Sequence, residues 1–162
     1  MAIVSTSYSA KTVANYFLEL GARDRIPIDP LKLQKLVYLA HGWSLAILGR
    51  PLIQEPVEAW RYGPVIQVLY KEFKRFGASA IPEDAKAGGV VETLDSNSKG
   101  LIDAVWEKYR SLSSIQLSTL THERGYAWDL TRKSGDFSPW DGPIIPNDLI
   151  ADEFNRRQQQ KS

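Results

Sequence analysis

The stretch LKLQKLVYLAHGWSLAILG, Leu31 to Gly49, carries apolar residues at more positions than one helical stripe can hold. Leu33, Leu36, Val37, Leu39, Ala40, Trp43, Ala46 and Ile47 cover most of its circumference, and a helix apolar that far round is packed from several sides. Asp29 stands where an N-cap belongs, and Pro30 takes the first helical position, where its missing N–H costs nothing. Gly49 ends the run. The continuous apolar tract, Leu36 to Leu48, lies between Lys35 and Arg50 and contains His41, well short of the roughly 20 residues a bilayer span requires. The stretch predicts the central helix of a globular core.

The flanks supply what that helix packs against. Before it, Ser9 caps AKTVANYFLEL, in which Val13, Phe17 and Leu20 recur at helical spacing and Gly21 closes the run. After it, RPLIQEPVEAWRY breaks the helical period, and the alternation from Val57 to Tyr62 predicts a short strand or hairpin arm, with Trp60 sharing a face with Glu58 and Tyr62. Gly63 and Pro64 then launch a third helix with Val65, Leu69, Phe73 and Phe76 on its apolar face. Residues 78–100 read as a long connection with a short strand at Val90 to Leu94. Further helices are expected from Lys99 to Leu112, from Ser113 or Ser114, as a short turn at Trp128 to Arg132, and from a cap at Asn147. The predicted fold is mainly α (α+β): a compact bundle of about six helices around the central apolar helix, with a small β-hairpin or short strands. Residues 1–162 are expected to form one domain, with a frayed tail from about residue 158.

Composition excludes several function classes. The chain is 43% hydrophobic and 24% charged, and its 20 Lys and Arg nearly balance its 19 Asp and Glu. Such neutrality argues against a dedicated binder of the nucleic-acid backbone. With no cysteine there is no disulfide, thiolate metal site or cysteine nucleophile. The N-terminus lacks a basic cluster followed by an apolar core, so a cytoplasmic location and no membrane partner are expected.

Catalytic signatures are missing. No G-x-S-x-G elbow, phosphate-binding loop or dinucleotide fingerprint occurs, so no enzyme activity and no cofactor are expected. His41, on the central helix among Val37, Ser44, Leu45 and Leu48, reads as a core histidine bonded to a neighbour. A metal-dependent hydrolase would need it to converge with His122, the only other histidine. Lys71, Lys74 and Arg75 form a basic stripe on the third helix, led into by Arg61 and Tyr62 but interrupted by Glu72. It reads as a solvated face, a protein contact or a nucleic-acid contact. Of five tryptophans, Trp43 and Trp106 sit on helical apolar faces, whereas Trp60, Trp128 and Trp140 lie in or beside irregular segments, where indoles pin loops or anchor interfaces.

Three motifs follow one another along the chain: K-L-Q-K-L-x-Y with Lys32, Leu33, Lys35, Leu36 and Tyr38; E-A-W-x-Y-G-P-V with Glu58, Ala59, Trp60, Tyr62, Gly63, Pro64 and Val65; and L-T-H-E with Leu120, Thr121, His122 and Glu123, followed by Trp128. Together, over roughly residues 9 to 132, they resemble the SocA-like antitoxin family, also called the Panacea domain and formerly phage-associated GepA-like proteins. Ala127 stands where such motifs usually carry proline. The resemblance implies a non-catalytic antitoxin that neutralises a cognate toxin, encoded by the adjacent gene, by direct binding. It also implies a scaffold whose partner varies; in one branch the antitoxin resembles an adaptor to a ClpXP-type protease. Some relatives carry an extra DNA-binding domain, for which no room is expected here.

On this reading Trp60, Arg61, Tyr62, Lys71, Lys74, Arg75 and His122 are the candidate partner-binding residues. Leu33, Leu36, Tyr38, Trp43, Gly63, Pro64, Thr121 and Trp128 maintain the scaffold. The alternative is a transcriptional autorepressor that contacts nucleic acid through Arg61, Lys71, Lys74 and Arg75.

Overall fold

Asp29 caps the central helix by accepting a hydrogen bond from the Lys32 N–H, and Pro30 begins it. In the computed structural model, which describes residues 7–133 and 142–160, this helix, α2 (Pro30–Trp43), is buried along nearly its whole length. It continues as a π-helical turn, Ser44–Leu48, closed by Gly49 in the left-handed region. Around it pack α1 (Ala10–Asp24), α3 (Gln67–Phe73), α4 (Ser96–Tyr109), α5 (Ser114–Thr121) and α7 (Asn147–Gln159). A short α6 (Ala127–Arg132) rests on α7. Leu33, Leu36, Val37, Tyr38, Leu39 and Ala40 of α2 are each at most 1% exposed, which is why the stretch is apolar all round.

The mainly helical expectation holds, and several boundaries move. Gly21 does not end α1, which runs on to Asp24 and is closed by Arg25 at φ 56°. No strand forms at Val90 to Leu94; Asp95 instead caps α4 three residues earlier than its apolar period suggests. Ser113 and Gln116 close the fifth helix's N-terminus with reciprocal hydrogen bonds. Asn147 does not cap α7, because its side-chain oxygen is 3.0 Å from His41 Nε2. The last helix runs to Gln159.

The largest departure concerns Gly63 and Pro64. They do not launch a helix; Gly63–Val65 is the second strand, β2, of a hairpin with β1 (Glu58–Trp60). Trp60 pairs with Gly63, so Arg61 and Tyr62 are the two-residue turn. Tyr62 accordingly lies beyond the strand and shares no face with Trp60. Both faces of β1 are covered: Ala59 is 0% and Trp60 8% exposed. The α3 helix begins only after Ile66.

Candidate partner-binding site

The hairpin is held from below by two polar side chains of the central helix. Gln34 grips Ile66 at both ends, its Nε2 donating to the Ile66 carbonyl and its Oε1 accepting from the Ile66 N–H, each at 2.9 Å. This imitates a strand pairing. One residue on, Lys35 Nζ donates to the Pro64 carbonyl at 3.1 Å. Lys35 is 1% exposed, no carboxylate among the described residues pairs with its ammonium, and burial pulls its pKa down to about 7. These bonds explain why polar residues interrupt an otherwise apolar helix.

Gly63 makes the approach possible. Its φ is +122°, and a Cβ there would sit 2.6 Å from Lys35 Nζ and 2.8 Å from His122 Cε1. His122, at the end of α5, has Nδ1 2.6 Å from the Ser118 carbonyl, to which it donates. Burial lowers its pKa, and the nearby Lys35 adds to that, while main-chain bonds to Ser118 and Tyr62 pull the other way. The imidazole meets the Trp128 ring edge-on, with centroids 4.4 Å apart. Trp128 Nε1 donates to the Trp60 carbonyl at 2.6 Å, tying α6 to the hairpin.

Beneath lies a second polar knot. Glu153 of α7 is 0% exposed, yet it accepts from Tyr38 Oη at 2.8 Å and the Ala127 N–H at 3.2 Å, and pairs with Arg157 at 2.9 Å. Burial still raises its pKa, outweighing Arg157 and the hydrogen bonds. Arg157 also donates to the Leu120 carbonyl. Thr121, beside it, is buried with its hydroxyl bonded to Ser118.

Outside this framework an apolar cleft of about 370 Å³ opens between α2, the hairpin and α3. Leu31, Tyr62 and Tyr70, three of the eight exposed large apolar residues among those described, line it, with Trp60 beside Tyr70 at 5.1 Å between centroids. Lys74 lines it too and lies over the Tyr70 ring at 5.8 Å.

The candidate contact residues thus divide. Arg61 and Tyr62 are exposed at the turn, the guanidinium 5.6 Å from the ring centroid. Trp60 is buried, its indole N–H bonded to Glu58, and His122 is half-buried in the framework. Lys71 and Arg75 are exposed on α3 and the 3₁₀ turn after it but do not line the cleft. Leu33, Leu36, Tyr38, Trp43, Gly63, Pro64 and Thr121 are all buried, and Trp128 is partly so. Trp140 lies outside the described residues. His41 is a core residue: its Nδ1 accepts from the Leu52 and Ile53 N–H groups, far from His122 in role. Among the described residues no cluster of His, Asp and Glu could hold a metal ion, and no helix is long and apolar enough to cross a membrane.

The three motifs therefore meet in one place, α2 beneath, the G-P-V strand above and the His122–Trp128 pair at the side. The family model described as antitoxin SocA-like, Panacea domain, matches residues 33–129, which contain this junction. The chain belongs to the SocA-like antitoxin family. It is also 35% identical over 156 residues to the protein named antitoxin SocA from Caulobacter vibrioides (strain NA1000 / CB15N), covering 91% of this chain and 83% of that one. No solved structure matches it significantly. In this Panacea domain the motifs are largely internal; among their residues Tyr62, 62% exposed, and Glu123 face outward.

Gln34 and Glu153 were missed as framework residues by sequence reasoning. Each had a signal: a polar side chain at helical spacing among residues that are otherwise buried.

Proposed function

We propose that the chain is an antitoxin that neutralises a cognate toxin, encoded by the adjacent gene, by direct protein–protein binding. The observation that carries this reading is the exposure of Tyr62, Leu31 and Tyr70 together around one cleft, on a framework shared with a family of antitoxins. Large apolar side chains gathered on a surface mark an interaction site far better than the same residues scattered singly. The framework fixes the hairpin; the turn and the cleft face outward and contact the toxin. Delivery of the bound toxin to a ClpXP-type protease is compatible with the same contact and would add turnover to masking.

Co-expression tests the reading. The product of the adjacent gene should arrest growth alone and be harmless when this chain is present. A harmless neighbour, or one that stays toxic beside this chain, ends the proposal. Toxin that disappears only in cells with an intact ClpXP-type protease assigns the adaptor route; toxin that persists in a soluble complex assigns masking.

A second reading has one observation in its favour: the cations Arg61, Lys74 and Arg75 each lie within 5.8 Å of the ring centroid of Tyr62, Tyr70 or Phe76. Such pairs occur on nucleic-acid surfaces, so the chain would act as an autorepressor. Glu72, paired with Arg75 and Lys11, interrupts that surface. A gel shift with the chain's own promoter at low salt decides it, since backbone contacts are strongest there.

A further inference from the structure

The cleft beside the hairpin differs in charge from other recesses formed by the described residues. Recesses elsewhere mix signs: Arg25 with Glu83 in one, Lys108 with Glu107 in another. Among the described residues this one is lined by the buried Lys35 and the exposed Lys74 and by no carboxylate. Its volume, about 370 Å³, falls in the range of roughly 300 to 1,000 Å³ that ligand-sized clefts occupy. Its walls are the side chains of Leu31, Trp60, Leu69 and Tyr70.

An ammonium carries three donors, and among the described residues Lys35 bonds with one of them, to the Pro64 carbonyl. A lysine that is buried without a carboxylate partner is costly to the fold. Holding the hairpin does not require a charge, because Gln34 one residue away does so with a neutral amide. The pairing of that amine with apolar walls describes the counterpart that fits it: a carboxylate next to a large apolar side chain.

We propose that this cleft receives an acidic, apolar segment of the toxin, a large apolar side chain entering between Tyr70 and Leu31 while the neighbouring Asp or Glu carboxylate meets Lys35 and Lys74. This rests on the antitoxin reading for the identity of the partner, and its chemistry can be tested without that partner. Charge complementarity decides between occupants: a basic or purely apolar segment leaves both cations unpaired, and a carboxylate satisfies them.

The probe is a pair of blocked tripeptides, N-acetyl-Leu-Glu-Phe-amide and its glutamine counterpart, titrated into isotope-labelled full chain and followed by NMR. The glutamate peptide should shift the amides of Tyr62, Leu69 and Tyr70, and the glutamine peptide should bind about tenfold more weakly, the loss expected for a charge-assisted pair. Lys35→Met should erase the difference between the two peptides. Should that variant fold poorly, Lys74→Met and Tyr70→Ala, both at exposed positions, should each weaken the glutamate peptide. Equal shifts from both peptides, shifts from neither, or discrimination that survives in Lys35→Met and Lys74→Met overturns the proposal. If the glutamate peptide binds this cleft while the adjacent gene's product does not bind the chain, the antitoxin reading fails and the cleft's chemistry stands. If the toxin binds wild type and the Lys35→Met and Lys74→Met variants equally well, the antitoxin reading stands and this inference fails.

Discussion

Lys35 Nζ and the carbonyl of Pro64 lie 3.1 Å apart, joining the middle of the central helix to the second strand of the hairpin. That contact exists because Gly63 brings no side chain to the place where the amine sits. The family motifs are, on this account, the means by which one short hairpin is fixed at a defined height above α2.

Replacing Gly63 by alanine combines a left-handed backbone with a methyl group closer than van der Waals contact to Lys35 and His122. Gly63→Ala should lose about 2 to 5 kcal/mol in urea unfolding, from backbone strain and overpacking together. Gly49→Ala shares the positive φ but has open space around it, and should cost about 1 kcal/mol.

Burial lowers Lys35 from 10.5 to about 7. Between these values the unfolded chain binds a proton that the folded chain lacks, so this residue makes stability rise with pH across that window. Lys35→Met removes the effect. The variant's stability relative to wild type should therefore be highest below about pH 7 and decline steadily toward pH 10.5. A constant difference over that range contradicts a depressed lysine.

His41 and His122 are both lowered from 6.5, by burial in each case. The unfolded chain takes up protons that these two resist, so stability is lost as pH falls through 6.5 and below. His41→Gln should flatten that acid limb in thermal melts at pH 5 to 7 as compared with wild type, at some cost to overall stability.

Trp60 and Tyr62 should respond in opposite ways. Trp60→Ala empties a buried position against Tyr70 and should cost about 3 kcal/mol or more. Tyr62→Ala removes an exposed ring and should change stability by no more than about 0.5 kcal/mol. Arg157→Leu leaves the carboxylate of Glu153 buried with its ion pair gone, and should cost about 3 to 5 kcal/mol.

Much of this was readable from the residues. The all-round apolar character of Leu31 to Gly49 located the central helix, and Pro30 and Asp29 fixed its start, because capping and periodicity are local. The Arg61–Tyr62 turn was not readable. A Gly-Pro pair after a strand fits a helix start as well as a second strand, and only the tertiary partners Gln34 and Lys35 select the strand. The burial of both faces of β1 was equally hidden, since Pro143 and Ile145, which flank it through main-chain bonds, are more than 80 residues away. Trp60 consequently looked like a contact residue and is a buried one, while Tyr62 looked like its neighbour on a strand and is the exposed tip.

The central claim is that the Tyr62 tip and its cleft contact the toxin while the rest of the junction only supports them. It is tested most directly by measuring, by calorimetry, the affinity of the adjacent gene's product for wild type, Tyr62→Asp and Val91→Asp, the last at a fully exposed apolar position away from the cleft. The account predicts that Tyr62→Asp melts like wild type and binds at least about tenfold more weakly, with Val91→Asp unchanged in both. Unaltered binding by Tyr62→Asp, or loss of binding in Val91→Asp alone, contradicts it.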